Sequence, residues 1–187
     1  MADPLTGTAT PFYHSDSLII ATAGSFRHQM FCYPGPRASY AVFVGPSNPL
    51  NDAETPLLAP TGTFLSLQRG DLTGAIVALK TIVHILEKGL TPYGPLRRAI
   101  IKTDSEIGCG ESRIRDWDLW EAILVLLDIV KRLWNVEVLF WWVPAKWNRD
   151  AKSLAAEGLK LPPPRSFQDR RERRAEMTSS ESLESRY

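Results

Sequence analysis

Cysteine is scarce in this chain, with only Cys32 and Cys109 among 187 residues. That count excludes a disulfide framework and a cysteine-rich zinc site, and fits buried thiols in a reducing compartment. An excess of one charge is also missing. The 22 Lys and Arg stand against 21 Asp and Glu, a net charge of +1. A uniformly basic nucleic-acid surface is thereby excluded, whereas a local basic patch is not. Long apolar runs are absent as well. The two most apolar stretches, 122–130 and 136–143, fall far short of the roughly 20 residues of a membrane helix. Asp3 and Pro4 stand where a secretory signal would place basic residues before an apolar run. The expectation is a soluble intracellular protein, of nucleus or cytoplasm, with no membrane partner.

What the chain does hold is ordinary globular composition, 44% hydrophobic and 23% charged, which excludes collagen-like and wholly disordered readings. Residues 1–16 are polar and turn-rich and read as a flexible N-terminus. Residues 17–22 (SLIIAT) and 38–44 (ASYAVFV) have strand length, the second stopped at Gly45 and Pro46. Four prolines make 46–60 a loop, and 61–67 (TGTFLSL) predicts a third strand completing an antiparallel meander.

The period then changes. Leu72, Ile76, Leu79, Val83 and Leu86 recur at steps of four and three, which predicts a buried helical stripe beginning near Arg69 and ending at Gly89. Residues 97–103 (RRAIIKT) predict a strand that delivers Asp104 at its carboxyl end. Trp117, Trp120, Leu124, Leu127, Val130 and Trp134 mark a second long helix with its tryptophans in the core. Residues 136–143 (VEVLFWWV) predict a strand stopped by Pro144. Its consecutive Trp141 and Trp142 must face opposite sides, one in the core and one beneath a helix. Asn148 caps a last helix to about Glu157. The crossover from Leu72 to Asp104 should be right-handed, and an open sheet of this kind places its site at the strands' carboxyl ends.

From residue 159 the composition shifts. Pro162, Pro163 and Pro164 are followed by five Arg within 165–174. The stretch 159–187 holds seven basic and five acidic residues, leaving a net charge of −1 on 1–158. It reads as a Pro/Arg-rich disordered tail with too little apolar surface to bury, and as a segment that could engage a protein partner.

Four motifs, in order, resemble the ribonuclease H family, particularly its fungal members. Residues 19–25 (IIATAGS), followed by Pro36-Arg37-Ala38-Ser39-Tyr40, resemble the family's opening strand, which ends in Thr-Asp-Gly and returns through an Arg-Ala-Ser-Tyr-like turn. Gln68-Arg69-Gly70-Asp71-Leu72 is similar to the Arg-Ala-Glu-Leu that opens the first helix. Thr103-Asp104-Ser105-Glu106 matches the Thr-Asp-Ser-Glu after the fourth strand. Val143-Pro144, then Asn148 to Ala155 (NRDAKSLA), resembles the Val-Pro…Asn-x-x-Ala-Asp-x-Leu-Ala ending. Asp118-Leu119-Trp120 also resembles the family's Asp-Leu-Trp before its long helix. The resemblance spans residues 17–158 and implies an α/β fold. Its expected form is a mixed five-stranded sheet, an antiparallel meander plus parallel strands, flanked by helices.

The resemblance also implies hydrolysis of the RNA strand of an RNA–DNA hybrid by two magnesium ions. Ions about 3.5–4 Å apart repel, so several carboxylates must converge to hold them. The family supplies four. Here the first is replaced by Ala23, the helix Glu by the shorter Asp71, the third is retained as Asp104, and the fourth is replaced by Lys152. Asp71 and Asp104 are therefore the remnant catalytic and metal-ligating candidates, at a site made more positive by one unit at Ala23 and two at Lys152. The ammonium is expected within about 4 Å of one of those carboxylates, the usual ion-pair limit. Asp150, about 200° around the helix from Lys152, should face elsewhere. Glu106 reads as a helix-start acid, Asp16 lies before the strand, and His14, His28 and His84 lack ligand spacing. The family's mobile His before the last helix and its basic hybrid-binding protrusion have no counterpart. Arg37, Arg69, Asn148 and Trp147 are the candidate nucleic-acid contacts.

Three readings stay open at this level. The first is a ribonuclease H-like module that binds an RNA–DNA hybrid or other nucleic acid without hydrolysing it. The second is a weak or active magnesium-dependent hybrid ribonuclease. The third is a protein-interaction domain using the fold and 159–187. No cofactor is expected unless hydrolysis persists, in which case it is magnesium.

Overall fold

A computed structural model describes residues 16–28, 36–54, 65–91, 94–105 and 116–161. Five strands form one mixed sheet. The strand β1 (Ser17–Arg27) pairs antiparallel with β2 (Arg37–Phe43), which pairs antiparallel with β3 (Asp52–Glu54). On its other side β1 pairs parallel with β4 (Arg98–Thr103), and β4 parallel with β5 (Glu137–Trp142). The order is therefore β3-β2-β1-β4-β5. This is the mixed five-stranded sheet expected from the sequence.

Alternation along the strands builds two unequal faces. On one, Ile20, Val42, Ala99 and Ile101 pack against α1 (Leu67–Lys88) and α2 (Trp117–Trp134), with Leu72, Leu79 and Ile82 fully buried beneath. On the other, the small side chains of Ala21, Ala23 and Ala41 let α3 (Arg149–Gly158) approach closely through Ala151 and Ala155. That helix packs across β1, β2 and β3, and no described helix packs across the same face of β4 and β5.

The first helix is set by local chemistry at both ends. Ser66 caps it by accepting from the Arg69 N–H at 3.1 Å, and Gly89 ends it in the left-handed region at φ 63°. Its first turn is pressed onto β1 at a glycine-to-glycine contact. A Cβ at Gly24 would stand 2.5 Å from the Asp71 nitrogen, and one at Gly70 would stand 2.7 Å from the Ser39 oxygen. Only glycine at both positions lets the helix carry Asp71 up to the end of β1.

Several expectations need correcting. The third strand lies at Asp52–Glu54, inside the stretch read as a proline loop, not at 61–67. Residues 61–64 fall outside the described residues, and Leu67 already opens α1, two residues before the expected start. Of the helical stripe, Leu72, Ile76 and Leu79 are buried and Val83 is half-buried. Trp120 and Trp134 are half-buried against the core, but Trp117 is 61% exposed. Trp141 and Trp142 are both exposed, on opposite faces of the edge strand β5; no described helix packs over the Trp141 face there. No described helix is long and apolar enough to cross a membrane.

Candidate functional site

The carboxyl ends of β1 and β4, the first turn of α1 and the start of α3 meet at one point. Thr22 and Thr103 are register partners, so Ala23 and Asp104 follow side by side on the face turned towards α3. Asp71 comes from α1 and Lys152 from the first turn of α3. The four positions that resemble the family's carboxylate positions thus converge.

Their chemistry is closed internally. Lys152 Nζ lies 2.6 Å from Asp104 Oδ2. Asp104 Oδ1 accepts from Asn148 Nδ2 at 2.7 Å, and the same amide donates to the Thr22 carbonyl at 2.9 Å. Both oxygens of Asp104 are therefore engaged. Asp71 turns inward, its Oδ1 accepting the Gly24 N–H at 2.6 Å. Ala23, 1% exposed, contributes a methyl group to the small apolar cluster under α3. Two committed carboxylates, a buried methyl and an ammonium do not fit a two-magnesium centre. Among the described residues no group of three or more His, Cys, Asp or Glu converges.

Burial raises the pKa of Asp71 above its ordinary 3.8, and the neighbouring Asp104 adds to the rise, while bonds from Ser105 and Gly24 and the charge of Lys152 oppose it. The sign follows directly. A carboxyl whose folded pKa is raised favours folding when protonated, so its contribution weakens as pH climbs through the folded value. Asp71→Asn keeps an oxygen for the Gly24 N–H and removes the buried charge. It should raise the urea midpoint at pH 7, with the gain shrinking as pH falls towards 3.8. An unchanged or lower midpoint at pH 7 would show that the ionised carboxylate is favoured there.

Three of the four candidate nucleic-acid contacts are buried. Arg69 is buried and held by Asp116 at 2.7 Å and Asp118 at 2.5 Å. Arg37 is buried, its Nη2 donating to the Leu161 carbonyl at 2.6 Å beyond the end of α3. Asn148 is buried beneath Asp104. Trp147, in the 3-10 turn Ala145–Trp147, is 60% exposed. Asp150 and His84 are solvent-facing, and Asp16 sits at the opposite end of β1, its carbonyl accepting from Arg97. Glu106, His14, Cys32 and Cys109 lie outside the described residues. Lys102 and Asp116 are bonded here with no motif to mark them, whereas Ser105 belongs to the Thr103–Glu106 match. Strand alternation alone could have placed Lys102 on an open face.

No family model and no curated protein matches the sequence. Solved structures do match the fold. LC11 ribonuclease H1 in complex with an RNA/DNA hybrid aligns at TM-score 0.51 and 15% identity, covering 76% of this chain and 96% of that one. Ribonuclease H1 from Halobacterium salinarum aligns at TM-score 0.47 and 13% identity, over 77% of this chain and 98% of that one. The N-terminal ribonuclease H domain of a Mycobacterium tuberculosis protein aligns at 0.41 and 15%, over 76% and 99%. The likeness to the LC11 enzyme, together with the strand order, shows a ribonuclease H-like fold.

Proposed function

We propose that this chain is a ribonuclease H-like domain that has lost two-metal hydrolysis and serves as a nucleic-acid-binding module, with an RNA–DNA hybrid as its first candidate ligand. One observation carries the loss of hydrolysis: the Lys152 ammonium on Asp104, 2.6 Å from a carboxylate oxygen and next to the methyl of Ala23. A built-in cation competes with magnesium for the same oxygen, and Ala23 offers no oxygen where the resemblance implies a carboxylate. The nucleic-acid part of the reading is supported at the level of the fold, through a structural neighbour solved with an RNA/DNA hybrid.

The test measures hybrid cleavage in magnesium and hybrid binding side by side on one preparation. The expected result is no cleavage above buffer, with binding that weakens as salt rises. Magnesium-dependent cleavage would overturn the loss of hydrolysis. Absence of any nucleic-acid binding would overturn the module and favour the protein-interaction reading, for which deletion of 162–187 should abolish partner capture.

A further inference from the structure

One face of β4 and β5 is covered by no described helix. Ile100 and Lys102 of β4 lie beside Leu139 and Trp141 of β5 in register, and Ile19 of β1 continues the same face. At its amino end Arg98 pairs with Glu137 at 3.0 Å, so those charges cancel. Towards the carboxyl end the balance tips. Lys102 Nζ donates to the Trp147 carbonyl at 3.1 Å, which ties the 3-10 turn to the sheet. Lys146 Nζ stands 5.8 Å from the Trp147 ring centre. Trp141 is 46% exposed and Trp147 60%. Neither Lys102 nor Lys146 has a carboxylate partner among the described residues.

We propose that this face, where Trp141 and Trp147 flank Lys102, is a platform for single-stranded nucleic acid, its bases stacking on the indoles and its phosphates meeting Lys102 and Lys146. The proposal rests on the nucleic-acid reading above and names the strand state that the domain takes. Exposed ring faces can stack only on bases that are free of a duplex, and every base offers such a face. Ammonium groups beside the rings, without a carboxylate partner among the described residues, suit a polyanion. A second copy docking through the same face would bring like charges together without compensation.

Tryptophan-fluorescence titrations with oligo(dT) and oligo(rU) of about 12 nucleotides, within the range one small domain covers, test this beside a hybrid of equal length. Quenching is expected with both single strands. Trp141→Ala and Trp147→Ala should each weaken binding at least fivefold, and Lys102→Ala should flatten the salt dependence. Trp142→Ala, on the opposite face of β5, should leave the affinity within about twofold. Circular dichroism of each variant separates lost contact from lost fold. Single-strand binding that ignores both indole substitutions overturns the platform, as does hybrid binding without single-strand binding, and in both cases the module reading stands. Binding of neither ligand overturns both. A dimer in sedimentation that Trp141→Ala dissolves would assign the face to a second copy and overturn the platform too.

Discussion

Asp116→Ala is expected to lower stability by about 3–5 kcal/mol, the usual cost of removing one partner from a buried ion pair. The reason lies in where Arg69 sits. Its guanidinium is at the start of α1, its side chain 5% exposed, and Asp116 opposite is 7% exposed. Nη1 donates to Asp116 at 2.7 Å and Nη2 to the more exposed Asp118 at 2.5 Å. Asp116 also opens α2, its carbonyl accepting from Leu119 and Trp120. The network therefore clamps the first turns of two helices that are 47 residues apart in the chain. Removing Asp116 leaves a desolvated guanidinium with half its partners. Removing Asp118 should cost less, because solvent already reaches that pair. The Arg69 bond holds the Asp118 pKa below 3.8, so its contribution is full above that value and is lost as pH falls through the folded one. Chemical denaturation of Asp116→Ala, Arg69→Met and Arg69→Met with Asp116→Leu checks the argument. The double substitution should recover most of the loss, since an apolar pair of similar volume needs no charge partner. A single substitution costing under about 1 kcal/mol would show the pair to be solvated.

That clamp explains one limit of reading this chain from sequence. Seven of the eight described strands and α-helices have local signals: strand-length apolar runs for β1, β2, β4 and β5, a four-three period for α1 and α2, and an Asn before α3, although the Asn148 side chain bonds Thr22 and Asp104 and does not cap the helix. The eighth, β3, has three residues without apolar alternation, and exists because β2 offers it an edge. Arginine positions are worse placed. Arg37 and Arg69 look like free cations in sequence, but each is buried by a partner more than 40 residues away. The site was legible for a different reason. Ala23, Asp71, Asp104 and Lys152 are brought together by strand order and by two glycines, and their identities follow from motif order alone. What motif order could not show is that both oxygens of Asp104 are already taken.

Lys152→Ala should create divalent-ion affinity without creating cleavage. Removing the ammonium frees Asp104 Oδ2 and leaves two carboxylates, from Asp71 and Asp104, that repel each other. That repulsion, which already adds to the rise of the Asp71 pKa, favours recruitment of a cation once the ammonium is gone. The wild-type melting temperature should therefore be insensitive to magnesium, whereas that of Lys152→Ala should rise with it, since an ion at 100 times its Kd adds about 2.7 kcal/mol. Cleavage is still expected to fail in that variant, because Ala23 offers no carboxylate to help hold two ions. Ala23→Asp with Lys152→Asp supplies four carboxylates at the converging positions. That protein should melt lower than wild type in chelator, because a carboxylate now replaces a methyl in the alanine cluster under α3. Magnesium should restore much of the loss, and hybrid cleavage should appear with the same ion dependence. Calorimetric titration together with melting curves in chelator and in magnesium separates the two effects. A wild-type protein that melts higher in magnesium, or a Lys152→Ala variant indifferent to it, would mean that the ammonium is not what keeps the ion out.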